Sequence, residues 1–244
     1  MPVRKTQSLF QEIILYFMKG IVKLFVVLII GSSLTSCFEV VDEISLREDG
    51  SGEFLLTVNM SRSKTKIESM MLLENVKGYK VPSKAEVEKF IDDLVIMLKE
   101  SKGISNVKKT IDFNEFIFTI GFHFNSVEDI NNAVERLTVR NTKNVRNPES
   151  LNLRYAYNTT TREFSRYYEP HDKDKAEYEK LDEEDKKMFN EAIYVSISRF
   201  DLQVQACTNK NAKISKSGNA VMIRSSATNI FRGTTSISNT VQLK

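Results

Sequence analysis

Tryptophan is absent from this chain of 244 residues, and cysteine and histidine each occur only twice. Two cysteines cannot build a disulfide scaffold, which needs many in a short chain. His123 and His171 lie far apart in sequence, with no HExxH spacing and no cysteine pair, so the pattern of a zinc site is missing. No apolar run approaches the roughly 20 residues of a membrane-spanning helix. The longest extends from Leu24 to Leu34. A strong excess of one charge is also lacking, since 35 basic side chains face 32 acidic ones. With 41% apolar residues, the composition argues against both wholesale disorder and a multi-span membrane protein. There is no Gly-x-Ser-x-Gly elbow and no Gly-rich phosphate loop, and Ser61-x-x-Lys64 has no accompanying Lys-Thr-Gly. The sequence therefore predicts neither an enzyme nor a cofactor.

What charge asymmetry exists sits at the amino end. Arg4, Lys5, Lys19 and Lys23 face only Glu12 before residue 39. They precede the apolar run, and Gly31-Ser32-Ser33 follows Ile30. A basic region, a short apolar core and small residues predict a secretory signal over 1–36. A buried core helix would need a polar face, and this run has none. Met18-Lys19-Gly20 would itself open an ordinary signal, so the true start is either Met1 or Met18. Without residues 1–36 the chain carries 31 basic and 31 acidic residues, so its basic character belongs to the leader and is no sign of an anionic partner.

Leu34-Thr35-Ser36-Cys37 resembles the lipobox of bacterial lipoproteins. The resemblance implies cleavage before Cys37 and a diacylglycerol on its thiol, commonly joined by a further acyl chain such as palmitate. One acyl chain anchors only marginally, whereas two or three anchor stably. Phe38 stands where an Asp would resemble an inner-membrane retention mark, which favours the outer membrane. Glu39, Asp42 and Glu43 loosely resemble a surface-export signal, although the same stretch reads as a strand.

Alternation then organises residues 37–244, read as a single α+β domain with a break near 139–150 as the alternative. Val40, Asp42, Ile44 and Leu46 share one face, and Phe54, Leu56, Val58 and Met60 share another, around the turn signal Asp49-Gly50. Residues 61–73 read as helical, with Ile67, Met70 and Met71 on one face. Ser83 and Glu86 predict a capping box for a helix over 83–101, with Gly103 as its left-handed cap. Phe116, Phe118, Ile120, Phe122 and Phe124 at period two predict the central strand of the core. Ser126 and Asp129 start another helix through Val127, Ile130, Val134 and Leu137. Further strands are expected at 151–157, around Phe164, at Ile193, Val195 and Ile197, at Leu202 and Val204, at Val221 and Ile223, and at Val241 and Leu243. A charged excursion at 169–191 reads as either a solvated helix or a mobile segment. The expected architecture is an antiparallel sheet of hairpins with amphipathic helices on one face.

Few side chains suggest chemistry. Cys207 is the one thiol left once Cys37 is acylated, and it reads either as a small hydrophobe in a strand or as a nucleophile needing a histidine. Asp172, Asp174, Asp182, Glu183, Glu184 and Asp185 lack the spacing and glycine of a calcium loop. Arg154, Arg162 and Arg166 beside tyrosines read as a snorkelling hairpin face or as a contact for headgroups or glycans. The lipid cysteine leading into the Asp49-Gly50-Ser51-Gly52 hairpin, the helix at 83–101, and Asn211–Ser215, Gly218–Val221 and Asn229–Gly233 together resemble bacterial lipoproteins of unknown function, especially from Bacteroidota, and distantly the LppM-like domain. That resemblance implies a non-catalytic envelope domain, membrane-bound through Cys37, that binds a lipid or another envelope component. The alternative is a scaffold or accessory subunit of an envelope protein complex. Nucleic acid is not an expected partner.

Overall fold

The computed structural model describes residues 38–76, 79–141, 153–170, 172–181, 183, 186 and 190–244. The leader and the lipobox residues Leu34, Thr35, Ser36 and Cys37 lie outside them.

The first hairpin forms as its alternation predicts, from β1 (Glu39–Leu46) and β2 (Gly52–Asn59). Gly50 takes φ 88° in the turn, a left-handed backbone that costs glycine nothing. The chain continues through a short 3-10 turn, α1 (Lys64–Met71) and the two-residue strands β3 (Asn75–Val76) and β4 (Tyr79–Lys80) to α2 (Lys84–Lys99). The predicted capping box is present. Ser83 accepts from the Glu86 amide at 3.2 Å, and the Glu86 carboxylate accepts from the Ser83 amide at 2.8 Å. Hydrogen bonds from Lys80 and from Ser83 hold the Glu86 carboxyl down at about 2. The helix stops before Gly103. That residue, at φ 78°, instead lies in the turn to the next strand, where a Cβ would fall 2.1 Å from Cγ of Asp129.

A second hairpin, β5 (Ile104–Asp112) and β6 (Ile117–Phe124), leads into α3 (Val127–Asn141). After it come β7 (Leu153–Asn158), β8 (Glu163–Tyr168), α4 (Asp172–Glu179), β9 (Ile193–Phe200), β10 (Val204–Cys207), β11 (Lys213–Ile214), β12 (Ala220–Ser226), α5 (Ala227–Phe231) and β13 (Asn239–Leu243). The class is α+β, but the strands divide. A seven-stranded sheet runs β11-β12-β9-β1-β2-β6-β5, and a four-stranded sheet runs β10-β13-β8-β7. The large sheet draws strands from both sides of residues 142–152.

Three expectations change. First, the phenylalanine-rich β6 lies next to the edge strand β5, and β1 is the middle strand. Length and apolarity marked β6 because α2 and α3 cover its side of the sheet, not because it is central. Second, β1 pairs in parallel with β9, a long-range pairing that no hairpin signal announces. Third, β9 turns the opposite face inward from the one its isoleucines suggest. Tyr194, Ser196, Ser198 and Phe200 are buried on the inner side, while Ile193 and Ile197 are only half-buried on the outer side. Val195 is buried on that outer side against Val41 of the neighbouring strand, so both faces of β9 carry apolar residues.

The charged excursion is docked where it is described. Tyr178 of α4 is buried and stacks on Phe231 of α5, with ring centroids 6.4 Å apart.

Replacing Ser83 by Ala removes the cap acceptor and should cost about 1 kcal/mol in chemical denaturation, without changing the far-ultraviolet spectrum at low denaturant.

Candidate functional site

Asp42 breaks the apolar face of β1, and its position explains why. A bare carboxylate inside a core carries a desolvation cost of several kcal/mol unless it is paired and hydrogen-bonded. Both oxygens of Asp42 are engaged. Oδ1 accepts from the Tyr194 hydroxyl at 2.7 Å and from Nη1 of Arg166 at 3.3 Å. Oδ2 accepts from the Tyr155 hydroxyl at 3.1 Å and faces Nη2 of Arg166 at 3.3 Å. One hydrogen bond and one further close approach thus join the guanidinium to the carboxylate. Side-chain exposure is 2% for Arg166 and 3% for Asp42, so water screens neither.

Each member is placed by its strand. Asp42 comes from β1, and Tyr194 and Ser196 come from the adjacent β9, at alternate inward positions. Arg166 and Tyr155 stand on β8 and β7, opposite each other in the antiparallel register of the small sheet. Asn131 of α3 fixes β7, the edge strand of that sheet. Its amide donates to the Tyr155 carbonyl at 2.8 Å and accepts from the Tyr155 amide at 2.9 Å, as a neighbouring strand would. The cluster therefore spans the gap between the two sheets. Arg166 also donates through Nη1 to the Ser196 hydroxyl and through Nη2 to the Tyr194 hydroxyl. Its guanidinium carbon lies 5.8 Å from the Tyr155 ring centroid and 5.5 Å from that of Tyr194, a cation held over two aromatic faces. Phe164 of β8 meets Phe200 of β9 edge-on at 5.4 Å and extends the junction.

The electrostatics fix protonation. Burial pushes the Tyr155 and Tyr194 phenols well above their ordinary range, against the pull of Arg166. Burial alone would lower the Arg166 guanidinium, but the Asp42 carboxylate in front of it keeps it charged. Three hydrogen bonds and the facing guanidinium engage the Asp42 carboxylate within the cluster. The phenols stay neutral, as donors rather than nucleophiles. The arrangement is chemically a clamp. Nε of Arg166 is the one buried side-chain polar atom without a hydrogen-bond partner among the described residues. The fork of the guanidinium is spent on Asp42, Ser196 and Tyr194.

The residues singled out from sequence do not converge. Arg166 is buried rather than on a snorkelling surface, because its partner Asp42 lies in the opposing sheet. Arg154 and Arg162 are exposed, and Arg162 pairs with Glu48 at 2.9 Å. Cys207 is a half-buried free thiol on β10 of the small sheet. His123 is on the outer face of the large sheet, 3.0 Å from Asn106 and 3.5 Å from Glu53. His171, and the side chains of Asp172, Asp174, Asp182, Glu184 and Asp185, lie outside the described residues, while Glu183 is exposed and bonded by Lys186 at 3.3 Å. Lys64 of the Ser61-x-x-Lys64 spacing is paired with Glu115 at 3.2 Å. Among the described residues no group of three or more His, Cys, Asp and Glu side chains could hold a metal ion. One signal for the clamp was present in the sequence: an acid on an otherwise apolar strand face.

No protein family and no curated protein matches the chain. Among solved structures it shows a distant similarity to the folded domain of Mycobacterium tuberculosis LppM, determined by NMR, with 10% identity, a TM-score of 0.39, and coverage of 89% of this chain and 92% of that one.

Removing one partner of a buried pair leaves the other uncompensated, so Arg166→Met alone should cost about 3–5 kcal/mol. Asp42→Leu combined with Arg166→Met should lose far less, and a double-mutant cycle in denaturant measures the difference. The tyrosines set a second expectation. Their folded pKa values are raised, so their contribution to stability is full below the unfolded value near 10 and is lost as pH rises beyond it. Absorbance titration at alkaline pH should show two of the eight tyrosines ionising only as near-ultraviolet dichroism collapses.

Proposed function

We propose that this chain is a cell-envelope lipoprotein, anchored through lipid on Cys37, whose domain is a non-catalytic binding module. The observation that carries the reading is the absence of slack at the anchor. Phe38 is already in the core at 4% exposure, and β1 begins at Glu39. A lipid one residue away would hold the middle strand of the large sheet directly at the bilayer. Among the described residues no helix is long and apolar enough to cross a membrane, so attachment rests on the segment before Phe38. A non-catalytic role is supported by the clamp, whose charged and phenolic groups satisfy one another. A lipid or another amphiphile from the adjoining membrane is the ligand class we favour, and Phe38 after the cysteine favours the outer membrane.

Intact mass measurement should find a chain beginning at Cys37 and carrying a diacylglyceryl mass, and Cys37→Ala should leave the detergent-rich phase on cloud-point partitioning. A wild-type chain retaining residues 1–36 and no added lipid rejects the anchor. Native mass spectrometry from a removable detergent should show a further amphiphile held by the domain. A bare protein, cross-linked to one envelope protein, would instead favour an accessory subunit.

A further inference from the structure

The register places six strand positions in one row across the end of the large sheet: Ser226, Ile193, Glu39, Asn59, Ile117 and Asp112. Phe38 enters at this end. So does the segment between β2 and α2, and both of its roots are fixed there. Lys64 pairs with Glu115 of the β5–β6 turn at 3.2 Å, and Nζ of Lys84 lies 5.4 Å above the Phe113 ring of the same turn. Between the roots, Ile67, Met70, Val76 and Val81 are buried, so the segment is a packed part of the domain. Its tip is not. Leu72 is 86% exposed, far beyond the 40–52% of the other exposed large hydrophobic side chains, and its neighbour Leu73 is 40% exposed.

A single exposed leucine is ordinary. This one stands in a segment of unusual charge. Residues 61–84 contain Arg62, Lys64, Lys66, Lys77, Lys80 and Lys84 against Glu68 and Glu74, six basic to two acidic, in a chain that is balanced beyond residue 36. Two adjacent exposed apolar side chains on a segment of net positive charge, although Glu74 follows them directly, fit the boundary between acyl chains and anionic headgroups. The chain outside the described residues ends at the same place, with the apolar run Leu24–Leu34 and Cys37 immediately before Phe38.

We propose that the tip formed by Leu72 and Leu73 is a second membrane contact, inserting into the phospholipid surface beside the anchor and fixing the orientation of the domain. The proposal rests on the anchored reading above. The lack of tryptophan supplies the test, because one introduced indole is the sole indole signal. Leu72→Trp, Leu73→Trp and, as a control, Ile214→Trp are made in the full-length lipidated protein and reconstituted into vesicles containing phosphatidylglycerol. Ile214 is 46% exposed at the opposite end of the large sheet, where it pairs with Val221. The tip indoles should emit at shorter wavelength in vesicles than in detergent-free solution of an unanchored Cys37→Ala chain. They should also lose emission when the lipids carry brominated chains, while Ile214→Trp changes in neither respect. Leu73→Trp guards against a local disturbance by the first variant. Protein that floats with the vesicles while its tip indoles remain unquenched overturns the contact and leaves the anchor standing. That result would hand the tip to a protein partner or to solvent. Protein that fails to float overturns the anchor and the contact together.

Discussion

The ion pair between Asp42 and Arg166 governs how the two sheets meet. Each charge lies on an inward position of its own sheet, and neither can remain buried without the other. In the low dielectric of the gap their attraction is large, but so is the cost of stripping both of water. The net stability gained over a well-packed apolar pair is therefore small or negative. What the pair does supply is a penalty for every other arrangement. A one-residue slip of β8 against β13 would carry Arg166 to the outer face and leave Asp42 bare, since side chains alternate along a strand. The same holds for β1 against β9, where a slip would remove Tyr194 and Ser196 together. Apolar contacts such as Phe164 on Phe200 tolerate small shifts, whereas the five-residue cluster does not.

The cluster also shows how the helices serve the sheets. Tyr155 reaches Asp42 only because β7 is held in place, and β7 is an edge strand with one side unpaired. Asn131 supplies to Tyr155 the donor and acceptor that a further strand would have offered. The edge strand β5 of the large sheet is managed differently. Its ladder to β6 is irregular between Ser105 and Lys108, and Lys108 and Lys109 follow, a bulge and charges that discourage pairing with another chain.

Much of this was legible in the sequence, and the unreadable parts have physical reasons. The hairpins and the capping box at Ser83 are local, set by residues within a few positions of one another, and they stand where the pattern puts them. The division into two sheets and the parallel pairing of β1 with β9 depend on contacts between residues far apart in sequence, and alternation carries no information about partners. The phase of β9 misled because its outer face is packed too, through Val41 and Val195, so isoleucine no longer marked the interior. The clamp was not legible in the sequence: Asp42 shared the face of Val40, Ile44 and Leu46 with no partner assigned, and Arg166 lay among tyrosines in a hairpin with surface residues on either side, where a basic side chain looks ordinary. Only the opposing sheet reveals that the two exceptions cancel.

The anchored reading gives the large sheet a direction. Eight residues of β1 rise about 26 Å at the spacing of an extended strand. The end that holds Leu46 and Phe200 would accordingly stand that far from the bilayer, and it is built differently from the end that holds Phe38. There the turns are tied to one another rather than left loose. Arg162 of the β7–β8 turn pairs with Glu48 of the β1–β2 turn, and Tyr157 donates to the carbonyl of Glu48 at 3.3 Å. The Asp201 amide donates to the Leu46 carbonyl at 3.2 Å, and the amides of Phe200 and Val204 donate to the carbonyls of Asn219 and Gly218 at 2.9 and 2.7 Å. These bonds join both sheets at a polar end, while the roots of the segment that carries Leu72 are fixed at the other end. On the anchored reading, the polarity of the molecule follows from β1. An anchor at Cys37 would leave β1 no slack to reorient, and would put the roots of segment 61–84 on the membrane side and the cross-braced turns on the far side.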